Sequence, residues 1–201
     1  MEQILINIGR QFGSGGRLVA RSLGEKLGIP VYDNELITRA AEESGFSRDL
    51  FARSDEKRSL FSLSSFFASG RYVVDNHLSD NDLFRIQGDV IRKIADKGSA
   101  IFIGRCSDYI LRDRDCLDIF ITAPEEIRIR RVAEREGVTE EEAARLVRTK
   151  DRTRETYYNY FTFGNWGMAS NYDLCLDSSI LGVEATADLI IAFLKAKRPV
   201  A

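Results

Sequence analysis

A glycine-rich turn between an apolar run and a helix-patterned stretch constrains this chain more than any other feature. Ile4-Leu5-Ile6 and Ile8 read as a short buried strand. Gly9-Arg10-Gln11-Phe12-Gly13-Ser14-Gly15-Gly16-Arg17 follows, and Leu18, Ala20, Leu23 and Leu27 then recur on one helical side. Strand, glycine turn and helix in that order form the frame of a phosphate-binding loop. Glycines let successive backbone N–H groups turn into one small volume, and the helix N-terminus adds the positive end of its dipole. The usual pattern G-x-x-x-x-G-K-[ST] is nevertheless not met. With Gly15 as the second glycine, Arg10 stands at the first, Gly16 at the lysine and Arg17 at the hydroxyl residue. With Gly16 in that place, Gln11, Arg17 and Leu18 occupy the same three positions. Neither register supplies the Ser/Thr that binds Mg²⁺.

Composition narrows the class. The chain has 201 residues, 44% apolar and 30% charged, which predicts one globular domain with a substantial core. A net charge of -2 disfavours a general nucleic-acid coat, so nucleic acid is an unlikely partner. A single histidine, His77, argues against a histidine metal cluster and against serine–histidine machinery. Cys106, Cys116 and Cys175 lack metal-ligand spacing and read as reduced thiols. With no secretory leader pattern and no apolar run of membrane length, a cytoplasmic protein without a membrane partner is expected.

The remaining elements follow from periodicity and punctuation. Gly28 stops the first helix, Val31-Tyr32 is extended, and Asn34 caps a helix to about Ser44. Asn81–Lys97 is an amphipathic helix, Ala100–Ile103 a strand, Cys106–Arg112 a short helix and Leu117–Ile121 a strand. Pro124 lies in the first turn of a helix that Gly137 ends, and Thr139-Glu140-Glu141-Glu142 opens the next with a capping box. Tyr157–Trp166 reads as an aromatic turn region, Tyr172–Leu176 as the last strand and Val183–Lys197 as a closing helix. Ser59–Gly70, with Leu60, Phe61, Leu63, Phe66 and Phe67, reads as apolar cover, a mobile lid or a partner surface, through which a homo-oligomer could form. Five short buried strands alternating with helices predict an α/β fold with a parallel sheet covered on both faces.

In such a sheet, ligands bind outside the carboxyl ends of the strands. The turn Gly9–Arg17, Asp33, Gly104-Arg105 and Thr122 all fall at that edge, and the basic run Arg148–Arg154 is a further candidate. Guanidinium forks suit phosphate because they make two parallel charge-assisted hydrogen bonds. Each feature also has a plain structural reading. Asp33 can cap the following helix, Arg105 can be a salt-bridged loop residue, and Arg148–Arg154 can be a solvated face. On one edge together, they favour a phosphate site.

These residues resemble the cytidylate kinase-like proteins, a branch of the P-loop nucleoside monophosphate kinases. The resemblance covers nearly the whole chain. It runs through Arg10–Arg17, Leu27–Asp33, Ile103-Gly104-Arg105, the strand Leu117–Ile121 with its Ala-Pro-Glu-Glu helix start, Lys150–Arg154, Tyr157–Trp166 and Tyr172–Ser179. It implies a P-loop NTPase-type three-layer fold, a five-stranded parallel sheet flanked by helices, in a single domain over residues 1–201. A helical acceptor-side segment would span 34–82 and a lid-like segment 139–166. By the same resemblance ATP is the donor, Mg²⁺ is expected, and the partner is a nucleotide or small phosphorylated acceptor. Gly13, Ser14, Gly15, Gly16 and Arg17 would cradle the donor triphosphate, with Arg17 in the lysine's role. Asp33 and Arg105 would hold the acceptor nucleotide. Arg148, Arg152 and Arg154 would clamp the transferring phosphoryl, and Asp151 would orient them or contact the acceptor. Where the family carries acids around its Gly-Arg, this chain has Ile103 and Cys106, so the metal ligand is unassigned. The expected activity is transfer of the ATP terminal phosphoryl to a CMP-like or other small phosphate-bearing acceptor. The alternative is a catalytically silent nucleotide-binding or interaction protein on the same fold.

Overall fold

The computed structural model describes residues 3–43 and 80–197. In chain order the elements are β1 (Leu5–Arg10), α1 (Gly16–Leu27), β2 (Val31–Tyr32), α2 (Asn34–Glu43), α3 (Asp80–Lys97), β3 (Ala100–Ile103) and α4 (Ser107–Ile110). They continue with β4 (Leu117–Thr122), α5 (Glu125–Glu136), α6 (Glu140–Thr162), a 3₁₀ turn (Ala169–Asn171), β5 (Leu174–Asp177) and α7 (Ser178–Lys197). The five strands form one parallel sheet in the order β2-β3-β1-β4-β5. This is the parallel α/β sheet that the strand count predicts, in the P-loop NTPase-type architecture that the resemblance implies.

The strands are apolar runs because both faces of the sheet are covered. Ile6, Ile8, Ile101, Ile103, Leu117, Ile119 and Ile121 pack with Val19 and Leu23 of α1 and Ile190 and Leu194 of α7. Leu5, Ala100 and Phe102 point the other way, onto Ile37 of α2 and Ile86, Val90 and Ile91 of α3. A third cluster joins α5 and α6 through Val132, Ala143 and Val147, and Phe12 of the glycine turn packs into it. The turn is thus anchored by a side chain of its own.

Helix ends follow local chemistry. Gly28 and Gly137 close α1 and α5 in the left-handed conformation. Thr139 and Glu142 form the expected reciprocal capping box, with Glu142 N donating to Thr139 Oγ1 at 3.3 Å and Thr139 N to Glu142 Oε2 at 3.1 Å. Pro124 sits at the cap, one residue before α5.

Two elements differ from expectation. The stretch Tyr157–Phe161 is not a turn but the last part of α6, which ends at Phe163 with φ 54°. Tertiary contacts sustain those turns: Phe84 of α3 stacks on Phe161 with ring centroids 4.2 Å apart, and Tyr157 Oη donates to Gln87 Oε1 at 3.4 Å. The closing helix follows a break at Gly182, where φ is 74°, as the expected Val183 start requires, but a short helical stretch from Ser178 precedes it and the two together make α7. Most of 34–82, including Ser59–Gly70, lies outside the described residues. No helix among the described residues is long and apolar enough to cross a membrane.

The amino half of β4 carries a buried polar tie. Asp118 Oδ1 accepts from Asn7 Nδ2 of β1 at 2.8 Å, and Asp118 N donates to Asp173 Oδ2 at 2.9 Å. Burial pushes the Asp118 carboxyl up to about 6; the Asn7 bond opposes this, and Asp108 and Asp173 add to it. A carboxyl raised in the fold favours folding most in its protonated form. Its contribution is complete below about pH 4, its ordinary value, and is lost as pH rises through about 6. Asp118→Asn should therefore be more stable than the parent at pH 7–8 by about 1–2 kcal/mol, a fraction of what the raised value allows. Urea unfolding should show that advantage vanishing below pH 4.

Candidate functional site

The glycine turn leaves β1 at its carboxyl end and reaches α1 through two left-handed glycines, Gly13 (φ 80°) and Gly15 (φ 78°). Gly13 has no room for a side chain either, since a Cβ there would lie 2.8 Å from Arg128 O. Helix α1 starts directly after Gly15, which fits the register with Gly15 as the second glycine and Gly16 at the lysine position. Ser14 is fully buried and spends its hydroxyl inside the turn, donating to Gln11 O at 2.9 Å and accepting from Gly16 N at 3.4 Å. Ser178 at the start of α7 donates its hydroxyl to Ser14 O and accepts from Arg131 Nη1 at 3.1 Å. The N–H groups of Gly13, Gly15 and Arg17 donate to no described group. Free N–H groups in a turn at a helix N-terminus make an anion cradle.

The turn is held from α5 and α6. Arg128 is buried, donates Nε to Ala123 O at 2.9 Å and Nη1 to Phe12 O at 3.2 Å, and pairs with Asp151 Oδ2 at 2.5 Å. Asp151 Oδ1 accepts from Phe12 N at 2.7 Å. One ion pair thus grips residue 12 by both its N–H and its carbonyl. The guanidiniums of Arg135 and Arg154 lie over the Phe12 ring, 5.0 Å and 5.4 Å from its centroid.

Four guanidiniums gather at the carboxyl edge of the sheet. Arg154 of α6 donates Nη1 to Arg10 O at 3.0 Å. Arg105 follows Gly104 at the end of β3, and Gly104, Arg105 and Cys106 all have positive φ (71°, 59° and 53°). Two consecutive non-glycine residues in that region are strained, and strain of this kind aims side chains at functional sites. Here it carries the Arg105 guanidinium over the Tyr157 ring at 5.2 Å. Burial lowers Arg10, Arg105 and Arg154, the last to about 10, and the repulsion of Arg154 and Arg105 lowers Arg10 further. Asp151 pulls Arg154 back up. Guanidiniums keep their charge under such conditions, so the edge holds a stored demand for an anion. Arg17, exposed, ion-pairs with Asp33, whose Oδ1 also accepts from Glu35 N (3.1 Å) and Leu36 N (3.2 Å) to cap α2. Asp33 therefore does what its place before a helix allows, capping α2, and in addition holds Arg17. A cleft lined by Arg17, Arg21, Asp33, Glu35 and Leu36 opens beside it.

The expected α6 arginines separate. Successive residues on a helix turn about 100°, so Asp151 and Arg154 share the face toward the turn. Arg148 pairs with Glu125 at 2.9 Å on the outside, and Arg152 is exposed. Of the three, only Arg154 reaches the glycine turn in this structure. Asp151 orients the turn itself and Arg128, besides its pull on Arg154. Sequence reasoning missed Arg10, Arg128, Arg131 and Ser178 as site residues. The signals were the strand end for Arg10 and the shared helix side, three residues apart, for Arg128 and Arg131.

Known proteins resemble this chain over nearly its whole length. A family model described as the cytidylate kinase-like family matches residues 5–180. A cytidylate kinase from Methanopyrus kandleri is 29% identical, the match covering 94% of this chain and 92% of that protein. A solved structure of an uncharacterized protein from Eubacterium ventriosum is 31% identical with a TM-score of 0.74, covering 96% of this chain and 99% of that one. Shikimate kinase from Bacteroides thetaiotaomicron shares the fold alone, with a TM-score of 0.57 at 11% identity over 96% of this chain and 99% of that one.

The Arg128–Asp151 grip yields a stability expectation. Asp151→Ala leaves a buried guanidinium unpaired and frees the Phe12 N–H, and should cost about 3–5 kcal/mol in urea unfolding. Asp151→Asn, which can still accept from Phe12 N, should cost less.

Proposed function

The chain belongs to the cytidylate kinase-like family, and on that premise we propose that it is a nucleotide-binding phosphotransferase, moving the terminal phosphoryl of ATP to a nucleoside monophosphate of the CMP type. The observation that carries this reading is the meeting of free N–H groups at Gly13, Gly15 and Arg17 with the guanidiniums of Arg105 and Arg154 at one sheet edge. An acceptor phosphate oxygen is already anionic, so its attack needs no general base. It forms the new P–O bond as the bond from the terminal phosphorus to the bridging oxygen breaks, and ADP leaves. What the protein must supply is alignment and neutral surroundings for the crowded charge.

In this reading residues 13–17 hold the donor triphosphate. Asp33 and Arg105 face the acceptor, with Arg17 joined to Asp33. Arg154 lies across the transfer point, and Arg148 and Arg152 of the same helix would meet the donor's outer phosphates only after a change of helix position. Residues 139–166 form the segment over the site, within a single domain. A protein-anchored magnesium does not fit the described residues. Arg17 occupies the position of the hydroxyl ligand, Asp33 is engaged by Arg17, and no group of three His, Cys, Asp or Glu among them could hold a metal. Magnesium would come in on the triphosphate itself. The intracellular nucleotide pool is the setting such a reaction requires.

Nucleotide analysis of a reaction with ATP and CMP tests the proposal. The parent should form CDP, or the diphosphate of a related acceptor, while Arg105→Ala and Arg154→Ala lose about a hundredfold or more in kcat/KM with unchanged melting temperature. A parent that binds ATP yet turns over no acceptor, with or without Mg²⁺, would leave a binding protein instead.

A further inference from the structure

The glycine turn departs from the usual pattern at three positions, and two of these departures, Arg10 for a glycine and Gly16 for the lysine, occupy one volume. A Cβ placed on Gly16 would lie 2.7 Å from Arg10 Cβ and 3.2 Å from Arg10 Cγ. Gly16 has no positive φ to explain it, unlike Gly13 and Gly15. It is glycine because the stem of Arg10 passes over it. The far end of the same side chain makes a second demand: a Cβ on Gly104 would fall on Arg10 Nη1 and come within 3.0 Å of Cζ. Arg10 therefore runs from the end of β1, across the first residue of α1, to the end of β3. A long side chain at position 16 and one at position 10 exclude each other in this backbone.

The guanidinium that arrives there has cations for neighbours. Arg154, Arg105 and Arg17 repel it and Asp33 attracts it, and it forms no ion pair with any described residue. Its own carbonyl is fixed by Arg154 Nη1. The other cation near the lysine position, Arg17, has a side chain 55% exposed and already paired with Asp33.

We infer that Arg10 contacts the transferring phosphoryl in place of the loop lysine, the charge having moved from the start of α1 to the end of β1. The inference rests on the phosphotransferase reading and names the group that neutralises the anion between donor turn and acceptor side. A guanidinium suits that place, because its fork can bond two phosphoryl oxygens at once while an ammonium acts as a point charge.

An exchange of the two residues tests it, with inorganic tripolyphosphate as a probe that carries phosphates and no base. Calorimetric titration should show Arg10→Gly binding tripolyphosphate about tenfold to hundredfold more weakly than the parent, the scale of a lost charge-assisted bond. Gly16→Lys alone should also bind weakly, since two long side chains then compete for one space. The double variant Arg10→Gly/Gly16→Lys should recover most of the affinity and of the ATP turnover. Such recovery is a coupling that two merely disruptive changes would not give. Arg10→Gln, similar in length but uncharged, should match Arg10→Gly and serves in its place if that variant fails to fold. Unchanged tripolyphosphate binding in Arg10→Gly and Arg10→Gln, or a double variant no better than the worse single one, overturns the inference alone. A parent protein that binds neither tripolyphosphate nor ATP overturns the phosphotransferase reading beneath it.

Discussion

The ion pair between Arg128 and Asp151 is the constraint on which the rest of the site depends. A glycine-rich turn has few side chains with which to hold its own shape, and glycine loses more conformational freedom on folding than any other residue. Here the order comes from outside the turn. A buried guanidinium and a carboxylate, brought from two different helices, grip one residue by its N–H and its carbonyl. The Phe12 ring packs, half-buried, against the cluster those helices share. Ser178 ties the carbonyl of Ser14, two residues further on. The free N–H groups converge because the residues between them have been pinned at these points.

The same arrangement explains why charge collects where it does. Parallel strands end together, so residues that follow β1, β2 and β3 become neighbours although they are far apart in the chain. Arg10 and Arg105 arrive in this way, and α6 brings Arg154 over the same edge. Aromatic rings pack against two of these guanidiniums, Tyr157 under Arg105 and Phe12 under Arg154. Repulsion among these half-buried cations opposes their gathering, and a polyanion bound at this edge would relieve it.

The frame of this site was legible in the sequence because its causes are local. Apolar runs of four to six residues mark strands buried on both faces, and glycines at Gly13, Gly15, Gly28 and Gly137 mark places where the backbone turns left-handed. Spatial causes were not legible. Nothing in the order of residues says that Gly16 and Gly104 both make way for Arg10. Arg128 and Asp151 look like ordinary charges on solvated helices until the two helices are laid side by side. The run Arg148–Arg154 suggested joint action by adjacency, whereas the helical rotation sends Arg148 outward and Arg154 inward. The aromatic stretch from Tyr157 looked like a turn because what keeps it helical is Phe84 and Gln87 on another element.

Helix α6 has 23 residues, a rod of about 35 Å at 1.5 Å per residue. Asp151 is its middle residue. One arm runs back to Thr139 beside α5, and the other runs forward to Tyr158, whose hydroxyl bonds Asp108 Oδ2 at 2.7 Å near the Gly104–Cys106 turn. The rod is held at both arms as well as at Asp151, by Ala143 and Val147 against α5 and by Tyr158 and Phe161 against Asp108 and Phe84, so one stiff element spans the two sides of the site and fixes the distance between them.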